Sequence, residues 1–373
     1  MGNPHCPVCG SNMVRNGKTK AGRARFRCRR CGSSSVRKID TSAKDLKTFL
    51  AWLLSRKRQS DMPGAGRTFR RRCAPFWDIW PMPPKIEEPR DVIYVDGIHL
   101  GRRAVVLIAS DERHVLGWHL CRAENSRGWS ALMQRIAAPE VVVSDGGDGF
   151  PKALGKTWPH AHHQRCVFHA FSQVKRYTTS RPRTQAGAEL YGLARALLGI
   201  TALKEAQGWV EAFLAWSERW DDFLSERTET EEGRCVLTHE RLVKARRSLA
   251  RLINAGTLFT YLDPRLEHLA PLPATNNRIE GGTNAQLRAM LRDHRGLSIE
   301  RRLKAIFWWC YMHSPSPLPA AEILRVMPTD SSIKAIYERL DQQDKLQGTI
   351  PQWGDAIVWS ELHRSEPYRM DWD

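Results

Sequence analysis

The chain has 373 residues and carries 58 Lys and Arg against 40 Asp and Glu, a formal charge of +18. No run approaches the ~20 consecutive apolar residues of a membrane-spanning helix, and the start MGNPHCPVCG lacks the apolar stretch of a secretory signal. A hydrophobic content of 42% with 14 Trp can fill a core, which excludes wholesale disorder. The length fits two or three domains. Nine Cys, four of them in two CxxC pairs, point to a reducing compartment with a metal site rather than to a disulfide framework. Residues 1–90 hold 21 Lys and Arg but only 6 Asp and Glu, so 15 of the 18 net charges lie in this first quarter. Such a field favours polyanions through counterion release; a solvated, solubilising surface is the plainer alternative.

Residues 1–39 contain Cys6-Pro-Val-Cys9 and Cys28-Arg-Arg-Cys31, each pair followed by Gly. Four thiolates at this spacing suit one tetrahedral, structural Zn2+, with no open position for chemistry. The hairpin between them carries Arg15, Lys18, Lys20, Arg23, Arg25 and Arg27 with Phe26, which predicts a zinc ribbon that faces nucleic acid. Over 40–85, Leu46, Phe49, Leu50, Leu53 and Leu54 recur at helical spacing, Pro63, Gly64 and Gly66 break the pattern, and a second Arg-rich helix follows. This is the outline of a helix-turn-helix with Arg67, Arg70 and Arg71 on one DNA-binding face; a merely basic surface helix is the alternative. Pro81–Pro89 reads as a linker.

From residue 91 the pattern predicts βββαβαβ. Strands are expected over Asp91–Asp96, Arg103–Ser110, Val115–Cys121, Glu140–Asp145 and His162–Cys166, with helices over Trp129–Ala138 and Asp148–Trp158. The uninterrupted apolar run before Asp145 suits a strand with parallel partners, covered on both faces. Residues 168–268 read as an amphipathic helical block. The loop 269–275 ends it, and Asn276-Asn-Arg-Ile-Glu280-Gly-Gly leads into a helix through Leu291. Helices are expected over Ser298–Tyr311, with Trp308 and Trp309 in the core, and over Ser332–Leu340; no role is assigned to the Trp-rich tail from Gln352.

Carboxylates at the ends of two neighbouring strands, joined by a third from a helix, form a site for hard divalent cations. Asp96, Asp145 and Glu280 are the candidates. Taken singly, Asp96 before Gly97 reads as a turn residue and Glu280 as a helix-start acid. Asp148 competes with Asp145 but stands where a helix should begin, so it is read as an N-cap.

Four segments carry a family resemblance: YVDGIHL around Asp96, VVSDGGDGF around Asp145, QRCVFHAF around Cys166 and His169, and NNRIEGGTNAQLR around Glu280. Over residues 40–315 the chain resembles the bacterial insertion-sequence transposases of the Mutator-like group, which use a DDE triad on an RNase H-like fold. The resemblance implies an α/β, RNase H-like catalytic core at 90–170, an all-α insertion at 171–272, and final core helices carrying the third acid at 273–315. The zinc ribbon and helix-turn-helix would precede it, and a C-terminal helix and tail at 316–373 would follow. It implies that Asp96, Asp145 and Glu280 bind two Mg2+ or Mn2+ and catalyse DNA end cleavage and strand transfer. It also implies active-site support from Cys166 and His169.

Cys166 and His169 also have metal-like spacing with His160, His162 and His163 nearby, and a core histidine is the duller reading of His169. Arg278 and Arg288 are further candidate DNA contacts. The expected partners are terminal inverted repeats, target DNA and a second copy in a homodimer or higher oligomer, in the bacterial cytoplasm at the nucleoid and without a membrane. Two other readings stay open: a non-catalytic DNA-binding regulator derived from a transposase, and a metal-dependent, structure-specific nuclease on the same fold.

Overall fold

The computed structural model describes residues 3–36, 40–147, 149–269 and 271–347. At the N-terminus three short antiparallel strands, β1 (Met13–Lys18), β2 (Ala24–Cys28) and β3 (Ser34–Val36), form a small sheet. Strand β2 alternates: Arg25 and Arg27 face solvent, while Phe26 and Cys28 are buried with Cys6 and Met13. Phe26 is therefore core of the ribbon and not part of a nucleic-acid face, which corrects the expectation; only the cations stay outside.

Helices α1 (Ser42–Leu53) and α2 (Ala65–Cys73) follow. The connection between them runs over residues 54–64, longer than the roughly three or four residues of a helix-turn-helix turn. Arg67, Arg70 and Arg71 are exposed on α2. The pair is not a free-standing module. Leu46, Phe49, Trp52 and Phe69 share one apolar cluster with residues as distant as Phe307 and Trp308. Phe49 packs edge-on to Trp308 at 6.1 Å, and His294 bonds the Leu53 carbonyl at 3.0 Å. The Pro81–Pro89 stretch is docked as well: Ile86 bridges Ile136 in parallel, and Arg135 donates to the Pro83 carbonyl.

The central sheet contains β4 (Val92–His99), β5 (Val105–Ser110), β6 (Val115–Cys121), β7 (Val141–Ser144) and β8 (His162–Arg165). Its order is β6-β5-β4-β7-β8; β4, β5 and β6 pair antiparallel, while β4-β7 and β7-β8 pair parallel. Side chains alternate across it as the pleat requires. Ile93, Val95, Leu107 and Val142 enter one core, under α3 (Ser126–Met133) and α4 (Phe150–Thr157). Tyr94, Ile98, Val106 and Val143 enter the other, beneath α10 (Ala285–Asp293) and α11 (Ile299–Met312).

Between β8 and α10 lies a body with its own core. It is made by α5 (Val167–Thr178), α6 (Gln185–Ala196), α7 (Leu203–Arg219), α8 (Asp221–Ser225) and α9 (Glu240–Asn254). The expected all-α insertion carries one hairpin, β9 (Arg227–Glu229) with β10 (Cys235–Leu237), closed through Gly233 in the left-handed region. Helices α12 (Ala320–Val326) and α13 (Asp330–Gln347) complete the described chain. The Trp-rich tail from Gln352 lies outside the described residues, as does the reading of Asp148 as an N-cap.

Candidate active site

The β4–β7 register places the first two acids. The parallel ladder runs Val92↔Val141 to Val95↔Ser144, so Asp96 and Asp145 are each the next residue along adjacent strands. Parallel neighbours in register share a face. Asp96 has the parity of Tyr94 and Ile98, and Asp145 that of Val141 and Val143, all of which enter the α10/α11 core. Asp96 does not end its strand, as the sequence had implied. Strand β4 continues to His99 because β5 pairs with it through Val105; what ends at Val95 is the parallel half of the ladder.

The third acid arrives on an unusual helix. Residues Arg278–Asn284 form a π-helical turn ahead of α10, with Glu280 inside it. Such insertions are frequent at functional sites. The preceding Asn276 is fully buried and anchors the turn: its side-chain amide donates to the Val95 carbonyl at 2.9 Å and its backbone amide to Cys166 Sγ at 3.2 Å. Asn284, equally buried, donates to Asp96 Oδ2 at 2.6 Å, and the Gly97 amide bonds Oδ1 at 2.8 Å. The Gly147 amide bonds Asp145 Oδ1 at 2.9 Å.

The electrostatics follow from this convergence. Burial, then the facing Asp145, pushes Asp96 up to about 6. Burial, then Asp96 and Asp145, pushes Glu280 up to about 7, while Arg288 and Arg165 pull it back. The like charges of Asp96, Asp145 and Glu280 thus act on one another. Among the described residues the three acids do not form a group as tight as 4.8 Å between all ligand oxygens.

Sequence reasoning missed two side chains here. Glu124, in the turn before α3, reaches across the strand ends with its side chain only 15% exposed and bonds His99 at 3.0 Å. A Cβ on Gly97 would lie 2.1 Å from Glu124 Oε1, and one on Gly147 would lie 2.4 Å from Oε2. Glu124 also adds to the upward push on Asp96. Arg165, at the end of β8, is packed beneath Gly146, where a Cβ would meet its Nε at 2.3 Å. The only signals in the sequence were an acid just before a helix and a cation next to Cys166.

Cys166 and His169 stand at the start of α5, with His169 Nδ1 3.4 Å from Cys166 Sγ and 3.4 Å from Glu280 Oε1. His163 bonds Ser144 Oγ at 2.8 Å instead, and burial lowers it to about 4. Arg278 donates to the Glu112 carbonyl, which ties the π turn to the β5–β6 loop. Arg288 is exposed.

The four N-terminal sulfurs do come together within 4.8 Å. Cys6 and Cys31 lie 3.5 Å apart, as do Cys9 and Cys28, close to the ~3.8 Å edge of a zinc–thiolate tetrahedron. Matching turns present them. Gly10 and Gly32, with φ of +71° and +72°, donate back to the Cys6 and Cys28 carbonyls. The Ser11 hydroxyl and amide hold Cys9 down to about 6, while the neighbouring thiols help push Cys31 up to about 12. This cluster could coordinate a structural Zn2+. No helix among the described residues is long and apolar enough to cross a membrane.

A family profile described as "Transposase, Mutator family" matches residues 101–237. It takes in Asp145, Cys166 and His169 and stops short of Asp96 and Glu280. The chain is 24% identical over 152 residues to a transposase for insertion sequence element IS905 of Lactococcus lactis subsp. lactis (strain IL1403), covering 36% of this chain and 38% of that protein. It is 28% identical over 90 residues to a transposase for insertion sequence element IS1201 of Lactobacillus helveticus, covering 23% of this chain and 22% of that one. The matches thus span well under half the length of either relative. These likenesses support an assignment at the level of the family.

Proposed function

We propose that this chain is a DNA transposase that binds the terminal inverted repeats of its own insertion sequence and performs Mg2+- or Mn2+-dependent end cleavage and strand transfer. The likenesses support a transposase or mobile-element protein in general. The observation that carries the finer reading is the ladder that sets Asp96 and Asp145 side by side, with Glu280, from far along the chain, close enough for both to raise its carboxyl. The strand order, with its central antiparallel-to-parallel switch, supports the RNase H-like reading of residues 90–170 and 273–315.

The donor set fits hard cations: partly buried carboxylate oxygens, with Asp96 and Glu280 raised by burial and by their acidic neighbours. Asp96, Asp145 and Glu280 would hold two such ions. A pair ~3.5–4 Å apart activates the attacking oxygen and stabilises the leaving one. Asn284 and the Gly97 amide fix Asp96, and the Gly147 amide fixes Asp145. Arg165 and Arg288 supply positive charge beside Glu280 for a scissile phosphate. The ribbon cations with Arg67, Arg70 and Arg71 meet DNA phosphates. Two ends must be joined in concert, so the working form is a dimer or higher assembly.

Purified wild type and Glu280→Gln, given Mn2+ or Mg2+, a labelled duplex bearing the element's end and a plasmid target, test this. Joined products are expected from wild type and a loss of at least about 100-fold from the variant, with end binding retained. Binding without cleavage by wild type would favour the regulator, and nicking without joining the nuclease.

A further inference from the structure

Glu280 leans toward Cys166 and His169, and this gives it a second chemical destination. Cys166 Sγ, His169 Nδ1 and a Glu280 carboxylate oxygen all lie within 4.8 Å of one another, and both contacts to His169 Nδ1 are 3.4 Å. Ligands on a four-coordinate Zn2+, at ~2.0–2.3 Å from the metal, stand about 3.3–3.7 Å apart. Two of the three pairs therefore already stand at the edge length of such a tetrahedron, and the third lies within 4.8 Å.

Two further features point to an ion. Glu280 Oε1 is buried and has no hydrogen-bond partner, His169 being near but outside hydrogen-bond geometry. The Cys166 sulfur is oriented by the Asn276 amide at 3.2 Å, the kind of outer-shell donor that fixes a thiolate ligand. One sulfur, one imidazole nitrogen and one carboxylate oxygen make a borderline-soft set, suited to Zn2+ and not to Mg2+.

We propose that Cys166, His169 and Glu280 form a transition-metal site, distinct from the N-terminal ribbon, that binds Zn2+ with loss of the thiol proton. Because the site holds Glu280, filling it excludes hard cations from the three acids. The site stands on its own geometry; the exclusion rests on the role proposed above for Glu280.

Full-length protein whose ribbon carries one equivalent of Zn2+ is given a second equivalent as Co2+. Thiolate-to-cobalt charge-transfer absorption and the intense d–d bands of a four-coordinate ion are expected. Cys166→Ser should lose the charge-transfer band, and His169→Gln should lose the four-coordinate spectrum, each keeping its circular dichroism and its ribbon zinc. A weak six-coordinate spectrum in wild type, or a charge-transfer band that survives Cys166→Ser, overturns the site. Exclusion is read separately, from the resonance of free Mn2+. Mn2+ bound by wild type should be released as the second equivalent of Zn2+ enters. Mn2+ that stays bound at full occupancy overturns the exclusion. Wild type that binds no Mn2+ and joins no DNA, yet gives the cobalt spectrum, refutes the role proposed for Glu280 and the exclusion with it, and leaves the site standing.

Discussion

Asp96 and Glu280 retain protons to an unusually high pH, and this has two readouts. Both carboxyls are raised in the folded chain, to about 6 and about 7. The folded state therefore binds more protons than the unfolded one across the interval from about pH 4 to 7. The stability this confers is complete below the unfolded values near 4 and is lost as pH rises through 6 and 7. For the well-buried Asp96 the loss is on the order of 2–3 kcal/mol. Denaturant midpoints followed from pH 4.5 to 7.5 in chelator should fall with pH, more shallowly in Asp96→Asn. Strand transfer should run the other way, rising through pH 6–7 as the acids ionise. A flat stability profile would contradict the burial of Asp96.

Gly146 offers a sharper test at the same scale. Its φ is +74°, and a Cβ there would meet the Arg165 guanidinium at 2.3 Å. Gly146→Ala should cost about 1–3 kcal/mol in left-handed strain and displace Arg165, whose charge acts on both Asp145 and Glu280. Loss of catalysis is expected with end binding intact. An active Gly146→Ala would remove Arg165 from the site.

At the scale of elements, strands β4 to β7 were legible because they are short, mostly apolar runs bounded by turn residues, whereas β8 is polar throughout, and adjacency of Asp96 and Asp145 follows once β4 and β7 pair in parallel. Less local features were not legible. The π turn around Glu280 depends on Asn276 and Asn284 reaching β4, more than 180 residues away in sequence. Glu124 looked like any loop acid because its neighbours Gly97, in β4, and Gly147, in the loop after β7, are distant in sequence. Phe26 was misread because three strands suffice to enclose one ring.

The prolines of 81–89 read as a linker and domain boundary, yet the chain there is held at both flanks. Trp80 and Asp330 exchange backbone bonds with Pro328 and Asp78, and Ile79 bridges Thr329. Beneath this bridge Lys304, 1% exposed, donates to the Trp77 and Ile79 carbonyls and to Asp330. Burial lowers Lys304 and raises Asp330, so each ion depends on the other. Lys304→Ala leaves an acid and two carbonyls without their donor and should cost roughly 2–4 kcal/mol, read as a lower unfolding midpoint and early proteolysis near residue 80. Unchanged stability would show that water replaces the ammonium without penalty.

For the whole molecule, charge and fold divide the work. Most of the excess positive charge lies ahead of the sheet, and the ribbon cations Arg15, Lys18, Lys20, Arg23, Arg25 and Arg27 are all exposed. Deleting residues 1–39 should weaken end binding and flatten its dependence on salt, by about 0.9 in logarithmic slope for each cation that had met a phosphate. An unchanged slope would place the DNA elsewhere, on α2 or on the helical body.

The sheet has a consequence for how the protein is made. Its last antiparallel strand ends at Cys121, but one face is covered only when α11, ending at Met312, arrives. At 5–20 residues per second, a nascent chain leaves that face bare for about 10–40 s. During that interval Tyr94, Val106, Ile108 and Trp118 lack the α11 side chains that bury them in the finished protein. The same delay withholds Glu280 from Asp96 and Asp145, so on the role proposed for Glu280 a chain not yet made to residue 280 lacks the third acid. Ribosome-bound chains halted before residue 280 should accordingly bind chaperones and show no nuclease activity.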